Sequence, residues 1–246
     1  MPNNWRTLGE VCLGKTPDTT FFLERKGEDA WLVMFYAPWC GHCRRLEPVW
    51  SEVDSFLKDS KSEIHAAKLD ATSFSSVASH FDVRGYPTIK FIQGEKLFTY
   101  KGDRLRDNIV EFANRASGPV IRWLSSSGKF QDVRGDHNDG VFFLYVGPKD
   151  DADELYKAYE DAAVVYRIYS YFYAGASSLL PEEIEKNGEP TILVFKDRTH
   201  YEYTVPAGGV TKESVEEFIN NERHPAFPKM TSSGLNDLSG LKKKIV

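Results

Sequence analysis

Cys40-Gly-His-Cys43 is the run in this chain whose residue types and spacing can do chemistry. A thiolate at a helix N-terminus faces unpaired backbone N–H groups and the positive end of the helix dipole, and both lower its pKa. Cys40 is then the attacking sulfur, and Cys43, one turn further in, is its resolving partner. His42 places a polar imidazole beside the same sulfur. Stabilising the reduced thiolate makes the disulfide a better oxidant, so the Gly41-His42 pair biases the site towards giving disulfides away. Three other readings compete. A structural disulfide is one, but two intervening residues make a small strained loop, and strained disulfides are the labile ones. A zinc site needs about four ligands. Cys12 and His65, His80, His137, His200 and His224 show no second CxxC or HxxxH spacing to supply them. A pair of inert thiols is the plainest alternative. Thiol exchange itself calls for no cofactor and no metal.

The elements that must hold these sulfurs are readable on either side. Trp31 to Tyr36 is an unbroken apolar stretch, bounded by Ala37-Pro38 and too short to span a membrane. Such a run reads as a strand buried on both faces of a sheet. From Cys40 to about Lys58, apolar residues fall at Leu46, Val49, Trp50, Val53, Phe56 and Leu57, one face of a helix. The strand ends, the chain turns at Ala37-Pro38-Trp39, and the cysteines open the helix. Pro48 lies inside that helix, where it removes a hydrogen bond and is expected to kink it.

Phe35-Tyr-Ala-Pro-Trp-Cys-Gly-His-Cys43, Lys68-Leu-Asp-Ala-Thr72 and Val83-Arg-Gly-Tyr-Pro-Thr-Ile-Lys90 together resemble the redox-active domain of the protein disulfide isomerase family. With Ile109-Val-Glu-Phe-Ala113 and Glu189-Pro-Thr-Ile-Leu-Val-Phe195, the resemblance covers nearly the whole chain. It is greatest to the transmembrane thioredoxin-related branch, with one active domain followed by inactive ones.

Composition bounds the rest. At 246 residues, 41% hydrophobic and 13% aromatic, the chain can bury substantial cores, and its length suggests two domains. A net charge of −5 argues against nucleic acid or an anionic membrane surface as the main partner. Three cysteines, two of them in one motif, leave no disulfide scaffold. Met1-Pro-Asn-Asn-Trp-Arg6 lacks the apolar core of a signal peptide, and no apolar run reaches the roughly 18 residues of a span. Taken alone, that points to the cytosol. The family resemblance implies instead the lumen of the endoplasmic reticulum, with a signal peptide before the domain and a membrane anchor after it. Ser239-Gly-Leu-Lys-Lys-Lys-Ile-Val246 reads as a turn leading into a cut-off strand, so the chain is expected to be a fragment or short isoform.

Along the chain, Leu8 to Leu13 reads as a first strand, with a helix capped at Thr16-Pro-Asp18; Cys12, in that strand, reads as a buried free thiol. Strands follow at Ile64–Asp70, Thr88–Ile92 and Leu97–Tyr100, with helices at Ser73–Phe81 and about Leu105–Arg115. This is an α/β sandwich around a mixed sheet, and it matches the thioredoxin fold that the resemblance implies. After Ser117-Gly-Pro119 the pattern returns. Val141–Val146 corresponds to Leu32–Ala37, Pro190-Thr-Ile-Leu-Val-Phe195 repeats Pro87-Thr-Ile-Lys-Phe91, and Val215–Ile219 repeats Ile109–Ala113. Offsets near one domain length, roughly 100 residues, indicate a tandem duplication. The expectation is two tandem thioredoxin-like domains, each a mixed central sheet with helices on both faces. The redox-active one covers 1–118 and a redox-inactive one covers 119–223; 224–246 is a linker and the start of a possible third domain. The repeat carries Gly147-Pro-Lys-Asp150 and no cysteine, so its role is binding, spacing or orientation.

Three further residues follow from the resemblance. Pro87 matches the superfamily's cis proline lying against the sulfurs, and repeat logic extends the cis form to Pro190. A cis bend there leaves backbone groups open to an extended substrate strand. Arg104 matches an arginine that can approach the site, lower the pKa of Cys43 and speed release of a trapped mixed disulfide; a solvated arginine, or an ion pair within its Arg106-Asp107 neighbourhood, is the competing reading. Met34 departs from the family, whose active domains carry a buried Glu or Asp there to relay the proton of the resolving cysteine. Lys68, at the place of that carboxylate's partner, then needs water or another acid, unless it is an ordinary snorkelling lysine. Slow deprotonation of Cys43 is expected, with Met34→Glu accelerating turnover.

These readings converge on a thiol–disulfide oxidoreductase and isomerase acting on cysteine-bearing secretory proteins as they fold. Its site residues are Cys40, Gly41, His42, Cys43, Pro87 and Arg104, and a thiol oxidant or glutathione renews it. A redox-gated chaperone or adaptor with weak catalysis is the alternative. A cytosolic reductase is disfavoured by the oxidising Gly-His pair.

Overall fold

Strand β1 (Ala30–Tyr36) is buried along its whole length except at Tyr36, as a strand covered on both faces must be. The structure is a computed structural model that describes residues 29–138, 140–184, 186 and 188–224. The chain divides into two units between Ser117 and Gly118. The strand and helix expected at 8–23, Cys12, and the segment beyond residue 224 lie outside the described residues.

In the first unit, β1 is flanked by parallel β2 (Ile64–Asp70) and antiparallel β3 (Thr88–Gln93), which pairs with β4 (Lys96–Thr99); the order is β2-β1-β3-β4. Trp31, Val33 and Phe35 pack on one face against Val77, Ala78 and Phe81, in and just after α2 (Ser75–His80). Leu32 and Met34 alternate to the other face, where α1 (Gly41–Asp59) packs against β2 and α3 (Arg106–Ser117). Helix α1 buries Cys43, Leu46, Trp50, Val53 and Leu57, spaced three and four apart as a core stripe. Each large apolar side chain buried this way contributes about 1.5–3 kcal/mol. Truncating fully buried Trp50 to Ala therefore costs about 3–5 kcal/mol. The helix runs through Pro48 without ending. Its cost is one missing donor, for the Arg44 carbonyl.

In the second unit, β5 (Arg122–Trp123), β7 (Tyr171–Gly175), β6 (Phe142–Val146), β8 (Thr191–Lys196) and β9 (Thr199–Glu202) form a mixed sheet in the order β5-β7-β6-β8-β9. Helices α5 (Glu154–Tyr166) and α6 (Lys212–Glu222) cover the face bearing Phe143, Tyr145 and Ile192. Helix α4 (Ser127–Asp136) lays Phe130 on the opposite face, among Phe142, Leu144, Leu193 and Phe195. Both units are thus mixed sheets with helices on both faces, the arrangement expected of thioredoxin-like domains. Helix α4 escapes the periodicity rule because Phe130 is its one buried residue and Gly128 and Gly135 interrupt it.

Strand register corrects the duplication by two residues. Phe35 pairs with Thr88 after the first proline, and Val146 pairs with Thr191 after the second. Val146 therefore corresponds to Phe35, and 141–146 corresponds to 30–35 rather than to Leu32–Ala37. Apolar residues alternate with period two, so the shift kept every side chain on its face and left the run looking equally well matched.

Candidate functional site

Where β1 ends, the Cys40 N–H donates to the Ala37 carbonyl at 3.0 Å, closing the turn that aims Cys40 at the start of α1. Cys40 is the N-cap of that helix, with extended backbone (φ −76°, ψ 114°). Its Sγ accepts from the Cys43 backbone N–H at 3.4 Å, the role a serine or aspartate oxygen fills at ordinary helix starts. On its other side, the Cys40 thiol donates to the Tyr86 carbonyl at 3.5 Å. Tyr86 precedes Pro87, and their peptide bond is cis; so is Glu189-Pro190. Both sulfurs are free thiols, 7% and 2% exposed, packed with Ala37 against Tyr36 and Tyr86. Trp39 stands 71% exposed beside them with its ring edge-on to Tyr86. The first unit thus brings Cys40, Cys43 and Pro87 together across 47 residues of sequence (87 − 40).

The two sulfurs are held in opposite states. The Cys43 thiol, which donates to Cys40, holds Cys40 below the ordinary thiol range; the backbone N–H groups of Cys43 and His42 and the Arg104 charge add to this, against the opposing effect of burial. Cys43 is pushed up to about 11, mainly by burial and then by the same hydrogen bond. A nucleophile is therefore ready on the outer sulfur while the inner one keeps its proton.

The other expected site residues divide. Arg104 is exposed in the bend ahead of α3, and its charge favours the ionised form of both sulfurs, more weakly than the hydrogen bonds do. The neighbouring ion pair is made by Arg106, which holds Asp107 at 2.6 Å. His42 is exposed, and its Nδ1 accepts from the Arg45 guanidinium at 2.8 Å. Arginine only donates, so this ring nitrogen accepts and the imidazole is engaged along the helix. A Cβ at Gly41 would meet no atom within 4 Å, so no crowding requires glycine there.

Sequence reasoning missed Glu47. Lys68, buried in β2 directly across from Met34, forms an ion pair with the Glu47 carboxylate and lies 5.4 Å from the centre of the Tyr36 ring. The acid that Lys68 needs comes from α1. The available signal was spacing: Glu47 lies four residues beyond Cys43, hence on the same side of the helix. Among the described residues, no group of three or more His, Cys, Asp or Glu could hold a metal ion, and no helix is long and apolar enough to cross a membrane.

Residues 16–115 match the thioredoxin family and residues 149–246 match a thioredoxin-like domain family. The chain is 41% identical over 236 residues to protein disulfide-isomerase TMX3 of Homo sapiens, covering 96% of this chain and 50% of that protein. Against protein disulfide-isomerase 1 of Caenorhabditis elegans it is 37% identical over 136 residues, 55% of this chain and 28% of that one. The solution structure of the first thioredoxin domain of mouse protein disulfide-isomerase A4 aligns with 46% of this chain and 74% of its own, at 40% identity and a TM-score of 0.38. The chain spans about half the length of the TMX3 relatives it matches. Two thioredoxin-family domains, with 41% identity to a protein disulfide-isomerase over 96% of the chain, show that this chain belongs to the protein disulfide isomerase family.

Proposed function

We propose that this chain is a thiol–disulfide oxidoreductase and isomerase that forms and rearranges disulfides in cysteine-bearing proteins as they fold. The observation that carries the reading is the asymmetry of the sulfur pair: Cys40 held below the ordinary thiol range at a helix start, and Cys43 held up to about 11 one turn inside. In the oxidising direction, a client thiolate attacks Cys40 of the Cys40–Cys43 disulfide. Cys43 leaves, and a second client thiolate displaces Cys40, so the client gains a disulfide and the pair leaves reduced. In isomerisation, reduced Cys40 attacks a wrong client disulfide, and Cys43 attacks Cys40 in turn whenever the client fails to resolve itself. Trp39 and the Tyr86-Pro87 backbone supply an apolar ledge and peptide groups for an extended client strand. Arg104 assists by favouring both thiolates, and His42 and Gly41 hold the helix start. The domains are 1–118 for exchange and 119–223 for holding or orienting clients. Glutathione or a thiol oxidant renews the disulfide, and the setting is the lumen of the endoplasmic reticulum on a membrane-anchored protein. The family resemblance supports these last assignments.

Refolding of a scrambled ribonuclease, whose disulfides are wrongly paired, tests the activity. The parent chain restores ribonuclease activity and Cys40→Ser does not, while both bind the unfolded client. Equal refolding by the two proteins sinks the enzymatic reading and leaves a binding module.

A further inference from the structure

Release of a client from Cys40 requires Cys43 to lose its proton, and Cys43 is poorly suited to lose it unaided. At about 11, only about one molecule in ten thousand carries a Cys43 thiolate at pH 7. The hydrogen bond that Cys43 donates to the Cys40 thiolate vanishes once that sulfur is in a mixed disulfide, but burial, the largest cause, remains. A neighbouring base is needed, and Cys40 cannot serve because it is bonded to the client.

The charged and titratable groups around the sulfur pair narrow the choice. Arg104 is a cation. His42 is exposed, with Nδ1 taken by Arg45. Tyr36, which packs against both sulfurs, has its hydroxyl raised by burial, then by Asp70 and Glu47, so both carboxylates face this side of β1. Asp70 is committed to the turn after β2, where it accepts from the N–H and hydroxyl groups of Thr72 and Ser73. Glu47 has no such duty. It lies one helical turn beyond Cys43, and among the described residues its ion-pair partner is Lys68, a buried cation fixed in the sheet below.

We infer that Glu47, held in place by Lys68, accepts the Cys43 proton, directly or through one water, during release of the client. The inference rests on the thiol-exchange reading above. The Cys43 S–H bond breaks and its proton passes to the Glu47 carboxylate. The Cys43 thiolate then attacks Cys40 Sγ, the Cys40–Cys43 bond forms and the Cys40–client bond breaks. The client sulfur leaves reduced as a thiolate and is protonated by Glu47 or solvent, and the Cys40–Cys43 pair is oxidised. Glu47 therefore supplies the acid that position 34 lacks.

The test uses the full chain with a cysteine peptide bonded to Cys40 as a mixed disulfide, and follows peptide release against pH. Glu47→Gln is expected to release at least about a hundredfold more slowly at pH 7, the lower end of what a general base supplies. Its deficit closes as pH approaches about 11, where Cys43 ionises alone. Alkylation of Cys40 in the reduced protein stays at the parent rate. Glu47→Asp keeps a carboxylate and retains most of the release rate. Adding Met34→Glu to Glu47→Gln restores release, because position 34 faces Lys68 across the strands. Release by Glu47→Gln at the parent rate across the pH range overturns the inference, and so does a deficit that persists unchanged at high pH. A parent chain that forms no mixed disulfide through Cys40 overturns the thiol-exchange reading itself.

Discussion

The two units build the same strand-to-helix corner and put different atoms in it. In the first, Cys40 caps α1 with φ −76° and ψ 114°, its sulfur accepting from the N–H three residues on. In the second, Asp153 caps α5 with φ −74° and ψ 119°, its carboxylate accepting from the Tyr156 N–H at 2.7 Å. The backbone offers both residues the same positive helix end. A thiolate there is a nucleophile, whereas a carboxylate is a permanent anion with no exchange chemistry. The inner position differs as sharply. Cys43 has its counterpart in Tyr156, and the Met34–Lys68 pair has its counterpart in Tyr145–Ala174. Fully buried Tyr145 and Tyr159 and nearly buried Tyr156 pack as an aromatic cluster at the positions of Met34, Leu46 and Cys43, and Ala174 stands where the first unit has Lys68. The corner is thus a general anion seat, and the side chain seated there decides between reactivity and stability.

The largest effect expected from this contrast is in labelling. Iodoacetamide at pH 7 should alkylate Cys40 at least about a hundredfold faster than Cys43, since the thiolate is the reacting form. Cys40 should keep reacting below the pH at which an ordinary thiol falls silent, because its pKa is lowered, and Cys43 should catch up only as pH nears about 11. Mass mapping of labelled peptides reads this directly, and equal labelling of the two would erase the asymmetry. Next is Gly147→Ala, at the position of Tyr36. A Cβ there falls 2.9 Å from Pro190 Cβ and 2.8 Å from the Tyr145 hydroxyl. Overpacking of this kind costs about 1–3 kcal/mol, so urea unfolding of the second unit should shift to lower denaturant. Alanine at Tyr36 makes no such clash, and the first unit should respond by losing packing instead. The smallest effect is Asp153→Ala, which removes a cap and costs about 1 kcal/mol. It should lower the second unit's stability and leave thiol exchange intact, whereas replacing the other cap, Cys40, removes the exchange.

The sulfur pair, the strand before it and the stripe of α1 could be read directly because each is a local pattern. An apolar run of strand length, a three-and-four spacing and a two-residue gap need no distant contact to be seen. Helix α4 could not be read, since a stretch with one core residue and two glycines has no stripe. The duplication was visible from the Pro-Thr pairs, but its register at β6 was not, because a two-residue slip conserves the pleat. Proximity in sequence puts His42 beside the sulfur; its engagement by Arg45 depends on rotamers that spacing does not encode.

By itself, then, the sequence determined which atoms could react and that a helix start would hold them, for helix and strand periodicities are set by residues within a turn or a pleat of one another. Only the tertiary structure decided what surrounds them. The Tyr86 carbonyl reaches Cys40 across 46 residues, and Lys68 reaches Glu47 across 21. The ionisation of the inner thiol rests on burial, a property no stretch of chain has until the sheet and helices close over it.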